Sequence, residues 1–300
     1  MTAQNATDSA TLIAVGSLVT GVAVLALKTL AWWITGSAAL YSDAMESIVN
    51  VATALAALVA VRIARRPADA RHPYGHHKAE YFSAVMEGVM IVVAALLILH
   101  EAWRAWRAPR VIDAPAEGLA LIAVATAING VWSWVLVRRG RALRSPALVA
   151  DGRHLFSDVV SSGGVVAGLG VALATGWLFL DPLIACLVAV NILWSGWRVI
   201  RESMGGLMDE AAPESMQGKI RAIISREAVG ALEAHDVRTR QAGQVTFIDF
   251  HLVVAGDSTV EAAHRICDRI EGALKQEVPG AQVTIHVEPE HKAKHCGVVV

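Results

Sequence analysis

The sequence predicts a membrane domain of six transmembrane helices in residues 1–205, a small cytoplasmic α+β domain in 206–292 and a flexible tail in 293–300. Three observations predict it. The 300 residues are 55% hydrophobic and only 18% charged, with a mean hydropathy of +0.48, where an ordinary soluble domain carries about 25% charge. The charge is uneven: 29 Asp, Glu, Lys and Arg stand among the first 205 residues and 24 among the last 95. Six apolar runs also reach the roughly 20 residues that cross a hydrocarbon core about 30 Å thick. A balance of 26 Lys+Arg against 27 Asp+Glu argues against a nucleic-acid binder working through bulk basicity. Three dispersed cysteines, Cys186, Cys267 and Cys296, argue against a disulfide framework or a thiolate zinc site.

The runs fall at about 12–34, 38–61, 81–103, 118–137, 147–178 and 182–200, separated by Thr35-Gly36-Ser37, Arg65-Arg66-Pro67, Ala108-Pro109-Arg110, Arg138–Pro146 and Asp181-Pro182. Most tryptophans, among them Trp32, Trp33, Trp103 and Trp106, lie near run ends, as interfacial aromatics do. Lys28, inside the first run, is expected to snorkel or to pair with an acid. Gly163-Gly164, Gly168 and Gly170 thin the fifth run for close packing or bending. The connection between runs 2 and 3 carries Arg62, Arg65, Arg66, Arg71 and Lys78, and that between runs 4 and 5 carries Arg138, Arg139, Arg141, Arg144 and Arg153. Basic connections stay in the cytoplasm, so an even number of spans places both termini there. The first eleven residues hold no Lys or Arg and the first run exceeds an h-region, so no cleavable signal is expected.

After residue 208 the periodicities change. Met216–Ala228 reads as an amphipathic helix, Val237–Gln241 and Val245–Val254 as strands around Ala242-Gly243, Val260–Glu277 as a helix and Gln282–Val287 as a last strand. Along the second strand Phe247, Asp249 and His251 share one face, and Ile248, Phe250 and Leu252 the other.

Ionisable groups inside a membrane are expensive and usually line a site or pathway. Run 2 contains Asp43, Glu46, Ser47 and Asn50, and run 5 contains Asp151, His154 and Asp158. His154 and Asp158 are spaced i, i+4, one helical turn apart on one face, and so are Glu46 and Asn50. Facing each other, these pairs offer an imidazole nitrogen, two carboxylates and an amide oxygen, a set that suits a divalent first-row metal and, if tetrahedral, Zn²⁺. The same spacing also fits a buried structural ion pair, and Asp43 with Ser47 forms a competing pair on a neighbouring stripe. Glu87, Asn129 and Asn191 read as helix–helix contacts. In the 2–3 connection Asp69, His72 and His76 supply one oxygen and two nitrogens around Pro73 and Gly75, which reads either as a metal loop or as a solvated turn. His235, His251, His264 and His286 with Glu288 are scattered over strands and helix, each alone an ordinary histidine, together a set able to converge on a metal. No nucleophile–base set or nucleotide loop points to an enzyme.

Three stretches, Pro67-Ala68-Asp69…His72…Gly75-His76…Lys78-Ala79-Glu80, Ala150-Asp151…His154…Ser157-Asp158 and Ala234-His235-Asp236-Val237-Arg238-Thr239-Arg240-Gln241, resemble the cation diffusion facilitator family, closest to its bacterial zinc/ferrous-iron efflux branch. The resemblance implies a metallochaperone-like cytoplasmic domain and a homodimer in a bacterial inner membrane, with no obligate protein partner and no nucleic acid. It implies a transport site on Glu46, Asn50, His154 and Asp158, a loop site on Asp69, His72 and His76, and cytoplasmic sites on His235, His251, His264, His286 and Glu288. Lys78 and Asp209 resemble the family's salt bridge near the dimer interface. The branch usually carries two aspartates where this chain has Glu46 and Asn50, so one carboxylate is missing. The implied activity is metal/proton antiport out of the cytoplasm. Zn²⁺ stands first as cargo and regulatory ligand, Fe²⁺, Mn²⁺, Co²⁺ and Cd²⁺ are open, and protons are the counter-ion. The alternative is a membrane sensor or scaffold that binds metal without moving it, and flux measured beside binding separates the two.

Overall fold

The structure, a computed structural model, describes residues 3–35, 38–107, 116–175, 180–294 and 298–299. It divides into two units, 1–204 and 205–300. Six long helices precede residue 208: α1 (Ala3–Thr35), α2 (Ala38–Ala64), α3 (Ala79–Arg107), α4 (Ala116–Ala142), α5 (Pro146–Thr175) and α6 (Leu180–Leu207). Among the described residues, Ser9–Ile34, Ser47–Ala64 and Ala79–Arg104 are long and apolar enough to cross a membrane.

Small residues let these helices approach. Ala10, Ala14, Ala57, Leu58, Leu136 and Leu148 share one buried cluster, and Ala84, Ile91, Ala95, Ala150, Ile192 and Val199 another. A Cβ added at Gly152 would stand 2.8 Å from Val137 Cγ2 and 2.9 Å from Leu136 Cβ, so this glycine seats α5 against α4. A Cβ added at Gly163, expected to serve that purpose, would meet nothing within 4 Å among the described residues, and the side faces of Gly164, Gly168 and Gly170 lie outside them. The outer surface keeps large apolar groups, Leu12, Trp33, Val131 and Trp194 among them, strongly exposed. That suits hydrocarbon rather than water. Lys28 does not snorkel: it is buried. The start of α5 is set by Ser145, whose Oγ accepts the Leu148 N–H at 3.4 Å, followed by Pro146, whose missing N–H and fixed φ suit a first helical position. The same hydroxyl donates to the buried carboxylate of Glu80 at the start of α3.

The second unit contains α7 (Glu214–Glu227), β1 (Glu233–Ala242), β2 (Val245–Val254), α8 (Val260–Glu277), β3 (Ala281–Pro289), a 3₁₀ turn (Glu290–Lys292) and β4 (Val298–Val299). The sheet order is β3-β2-β1-β4. β1 and β2 form an antiparallel hairpin closed by Gly243-Gln244, with Gly243 at φ 55°, while β3 runs parallel to β2 and is reached through α8. Ile248, Phe250 and Leu252 of β2 are buried with Ile220, Ile223, Ile224, Ile270 and Leu274 of the two helices, forming the core. β1 begins four residues earlier than the sequence suggests. A bulge between His235 and Arg238, with Asp236 at φ 53°, interrupts the alternation that marks a strand. The expected free tail also gains structure, since Val298 and Val299 pair with Ala234 and Glu233 and satisfy backbone groups on the β1 edge.

Candidate metal centres

In the membrane unit α2 and α5 bring Asn50, His154 and Asp158 together, all three buried. The Asn50 amide donates to Asp158 Oδ2 at 2.6 Å, and its oxygen lies 3.0 Å from His154 Nε2. An amide oxygen only accepts, so Nε2 carries the proton of that bond. Thr53 Oγ1 donates to the Asn50 carbonyl at 3.0 Å, a bond back to the preceding helical turn. Ser47 is buried in the same segment of α2. The side chains of Glu46 and Asp43 lie outside the described residues, so the choice between the two stripes of α2 rests on Asn50, which faces α5.

The loop between α2 and α3 folds around Asp69. Its Oδ1 accepts the backbone N–H groups of His72 at 2.7 Å and Arg71 at 2.9 Å, and these bonds, that of His72 first, hold the carboxyl below the usual carboxylate range. His72 Nδ1 lies 3.2 Å from Asp69 Oδ1 and His76 Nε2 lies 3.4 Å from Oδ2, with the two rings 4.3 Å apart. The ligand atoms of the three residues fall within 4.8 Å of one another. Gly75 makes the turn back at φ 83°, where a Cβ would stand 2.9 Å from His77 Nε2. Burial, and then the charge of neighbouring His76, lower the pKa of His77 and favour its neutral ring.

In the second unit the strand register lines up three histidines. His235 of β1 pairs with His251 of β2, and His251 pairs with His286 of β3. The ring centroids are 5.3 Å and 4.9 Å apart. Glu288, two residues further along β3 and on the same face, reaches His235 Nε2 at 3.3 Å, His251 Nδ1 at 3.2 Å and His286 Nε2 at 3.7 Å. His235, His251 and Glu288 form the second group of ligand atoms within 4.8 Å. Among the described residues, both nitrogens of His235 and Nδ1 of His251 are buried with no hydrogen-bond geometry to a neighbour. Buried polar atoms are normally satisfied, so the residues present fit a bound cation. Glu233, which sequence reasoning passed over, lies 3.4 Å from His235 Nδ1. Its place on the edge of a bulged strand gave no periodic signal. His264 stands apart, exposed on the outer face of α8, 3.2 Å from Asp268. Asp209 pairs with Arg240 at 3.2 Å, and Lys78 belongs to the first unit.

Residues 13–208 match the cation efflux transmembrane domain, and residues 212–290 match the cation efflux protein cytoplasmic domain. The chain belongs to the cation efflux family. This cation efflux protein is 44% identical over 276 residues to an uncharacterized transporter of Synechocystis, covering 92% of this chain and 89% of that one. It is 32% identical over 281 residues to the cation-efflux pump FieF of Salmonella newport, covering 92% and 90%. Among solved structures, a candidate zinc transporter, CzrB, in its zinc form is 53% identical over 29% of this chain and 98% of its own, with a TM-score of 0.28. The metal-bound C-terminal domain of the CzcD transporter from Thermotoga maritima is 32% identical, covering 25% and 87%, with a TM-score of 0.24. The protein is thus a cation efflux transporter of the cation diffusion facilitator family rather than an enzyme, multi-pass, with a cytoplasmic C-terminal domain.

Proposed function

We propose that this cation efflux protein exports divalent transition-metal ions from the cytoplasm in exchange for protons, with Glu46, Asn50, His154 and Asp158 holding the cargo. The observation that carries the reading is the buried Asn50 clasp between α2 and α5, 3.0 Å to His154 and 2.6 Å to Asp158. A metal ion needs a neutral imidazole and an ionised carboxylate, so cargo competes with the protons that would charge His154 or neutralise Asp158. Cargo and proton therefore compete for the same atoms, which is the requirement for exchange. The clasp gives the Asn50 amide, His154 Nε2 and Asp158 Oδ2 partners when no ion is bound, so these atoms are not left bare in hydrocarbon when it departs.

The N-terminal ends of α3 and α5 and both chain termini face the cytoplasm across a bacterial plasma membrane in this reading, which the basic connections and the cytoplasmic C-terminal domain support. The protein works as a homodimer. Zn²⁺ is the first candidate cargo, and Fe²⁺, Mn²⁺, Co²⁺ and Cd²⁺ follow, because the amide oxygen of Asn50 is a harder donor than an imidazole. Two further groups would bind regulatory metal: Asp69, His72 and His76 in the loop, and His235, His251 and Glu288, flanked by His286, on the sheet.

The test uses purified full-length protein in liposomes with a pH gradient and a fluorescent zinc reporter. Wild type moves Zn²⁺ and Asp158→Ala does not. Zinc binding without flux in the wild type would instead make the protein a sensor or scaffold.

A further inference from the structure

Ser145 is buried at a corner where the end of α4 and the first turns of α5 and α3 come together. Its backbone N–H donates to the Gly140 carbonyl at 2.9 Å and closes α4, with Arg144 before it in the left-handed region at φ 50°. Its hydroxyl accepts the Leu148 N–H of α5 and donates to Oε2 of Glu80, a buried side chain in the first turn of α3. A Cβ added at Gly140 would stand 3.0 Å from Leu148 Cβ and from the Val149 nitrogen, so α4 and the start of α5 have no room to slide. Glu80 thus bonds α3 to a rigid corner. On one side, Glu80 lies four residues after the loop ligand His76. The Ala79 N–H donates to the His76 carbonyl and the Tyr81 N–H to the Lys78 carbonyl, both at 3.0 Å, so the loop passes directly into α3. On the other side, α5 runs nine residues from Ser145 to His154, about 14 Å along the helix axis.

The two sides differ in how firmly they are held. The side chains of Asp69 and His72 are each 54% exposed, whereas Glu80 and Ser145 are buried. A cation in the loop ties Asp69, His72 and His76 to one another and steadies the segment that leads into α3. That favours the bond from Ser145 to Glu80. A buried polar group that loses its partner is costly, so the corner has two discrete states, joined or apart. When joined, it holds α5 where His154 and Asp158 meet Asn50. Ligands already in place take up an ion without the cost of ordering them. We propose that Glu80 is a positioning residue that couples the loop group to the cargo site, so that a cation in the loop tightens the binding of cargo. By linkage, cargo tightens the loop in return. The coupling rests on the two metal groups proposed above. α5 has a second tie, from Arg153 to Glu202 of α6 at 2.7 Å, but Glu202 is half exposed. An ion pair open to water contributes little, and α6 carries none of the loop ligands.

The probe is Zn²⁺ titrated by calorimetry into full-length protein in detergent, and the cargo component is the binding that Asp158→Ala removes. Asp69→Ala removes the loop ion and weakens the cargo component about fivefold, the low end of usual coupling between sites. In a Glu80→Ala background Asp69→Ala leaves the cargo component unchanged. Ser145→Ala breaks the same bond from the other side and gives the same result, which keeps the test open if Glu80→Ala fails to fold. Glu80→Gln keeps an oxygen that accepts from Ser145, so the fivefold effect of Asp69→Ala survives there. Loss of the loop ion with an unchanged cargo component in Asp69→Ala would overturn the proposal. A fivefold effect that persists in the Glu80→Ala or Ser145→Ala background would overturn it too, as would its disappearance in Glu80→Gln. If Asp69→Ala or Asp158→Ala removes no Zn²⁺ at all, the metal group concerned is rejected and the coupling with it, a result distinct from the others.

Discussion

In the membrane unit Asn50 links His154 and Asp158 through two hydrogen bonds, whereas on the cytoplasmic sheet His235 and His251 meet Glu288 with ring nitrogens that, among the described residues, have no hydrogen-bond geometry. The donor atoms are similar, but the empty states differ. A site that closes on itself without an ion loses little when the ion departs, which suits cargo. Buried nitrogens left unsatisfied are costly when empty, so the sheet group gains more by keeping its ion, which suits a resident regulatory metal. The one residue that creates the contrast is Asn50, because an amide both donates and accepts where a carboxylate only accepts.

The contrast can be broken at either end. The largest effect is expected from His235→Ala, which removes a buried ligand. Zinc affinity of the sheet group should fall by at least about a hundredfold, the upper end of what losing an outer-shell partner alone costs. Calorimetry on the full chain in detergent measures this, and an unchanged affinity would show that the row does not bind metal. A smaller effect follows from Asn50→Asp, which adds a charge to the cargo site and removes the amide donor. Zinc should bind about tenfold tighter there, since affinity rises with ligand charge, and turnover should slow as release becomes harder. Unaltered turnover with tighter binding would mean that the clasp does not govern release. The smallest effect is expected from His264→Ala, because this side chain is exposed and occupied with Asp268. Zinc stoichiometry and affinity should match wild type, and the loss of a bound ion would bring His264 into a centre shared with another copy of the chain.

The architecture was largely legible. The apolar runs matched six helices because a helix that crosses a membrane must satisfy its backbone internally and be apolar over its full length, properties written locally. β2 and α8 fell on their expected residues, Val245–Val254 and Val260–Glu277, because alternation and an amphipathic stripe are equally local. Where sequence reading slipped, a long-range contact had intervened. The bulge at Asp236 hid the first half of β1, and the pairing of Val298 and Val299 with β1 turned an expected loose end into a strand.

The sites divide in the same way. The i, i+4 spacing of His154 and Asp158, and the short loop holding Asp69, His72 and His76, could be read directly, because helix geometry and one turn bring those residues together. Sequence could not show that Asn50 would clasp both His154 and Asp158, since the rotation of α2 against α5 is set by packing. Nor could it choose among the scattered histidines. Register alone places His235, His251 and His286 in one row and leaves His264 outside it, and register follows from which faces the core buries. The sequence by itself determined a six-helix membrane protein with a mixed second domain and the chemistry available to it. Tertiary structure decided which polar groups meet, because burial favours pairing of donors with acceptors, and here those partners lie up to 134 residues apart.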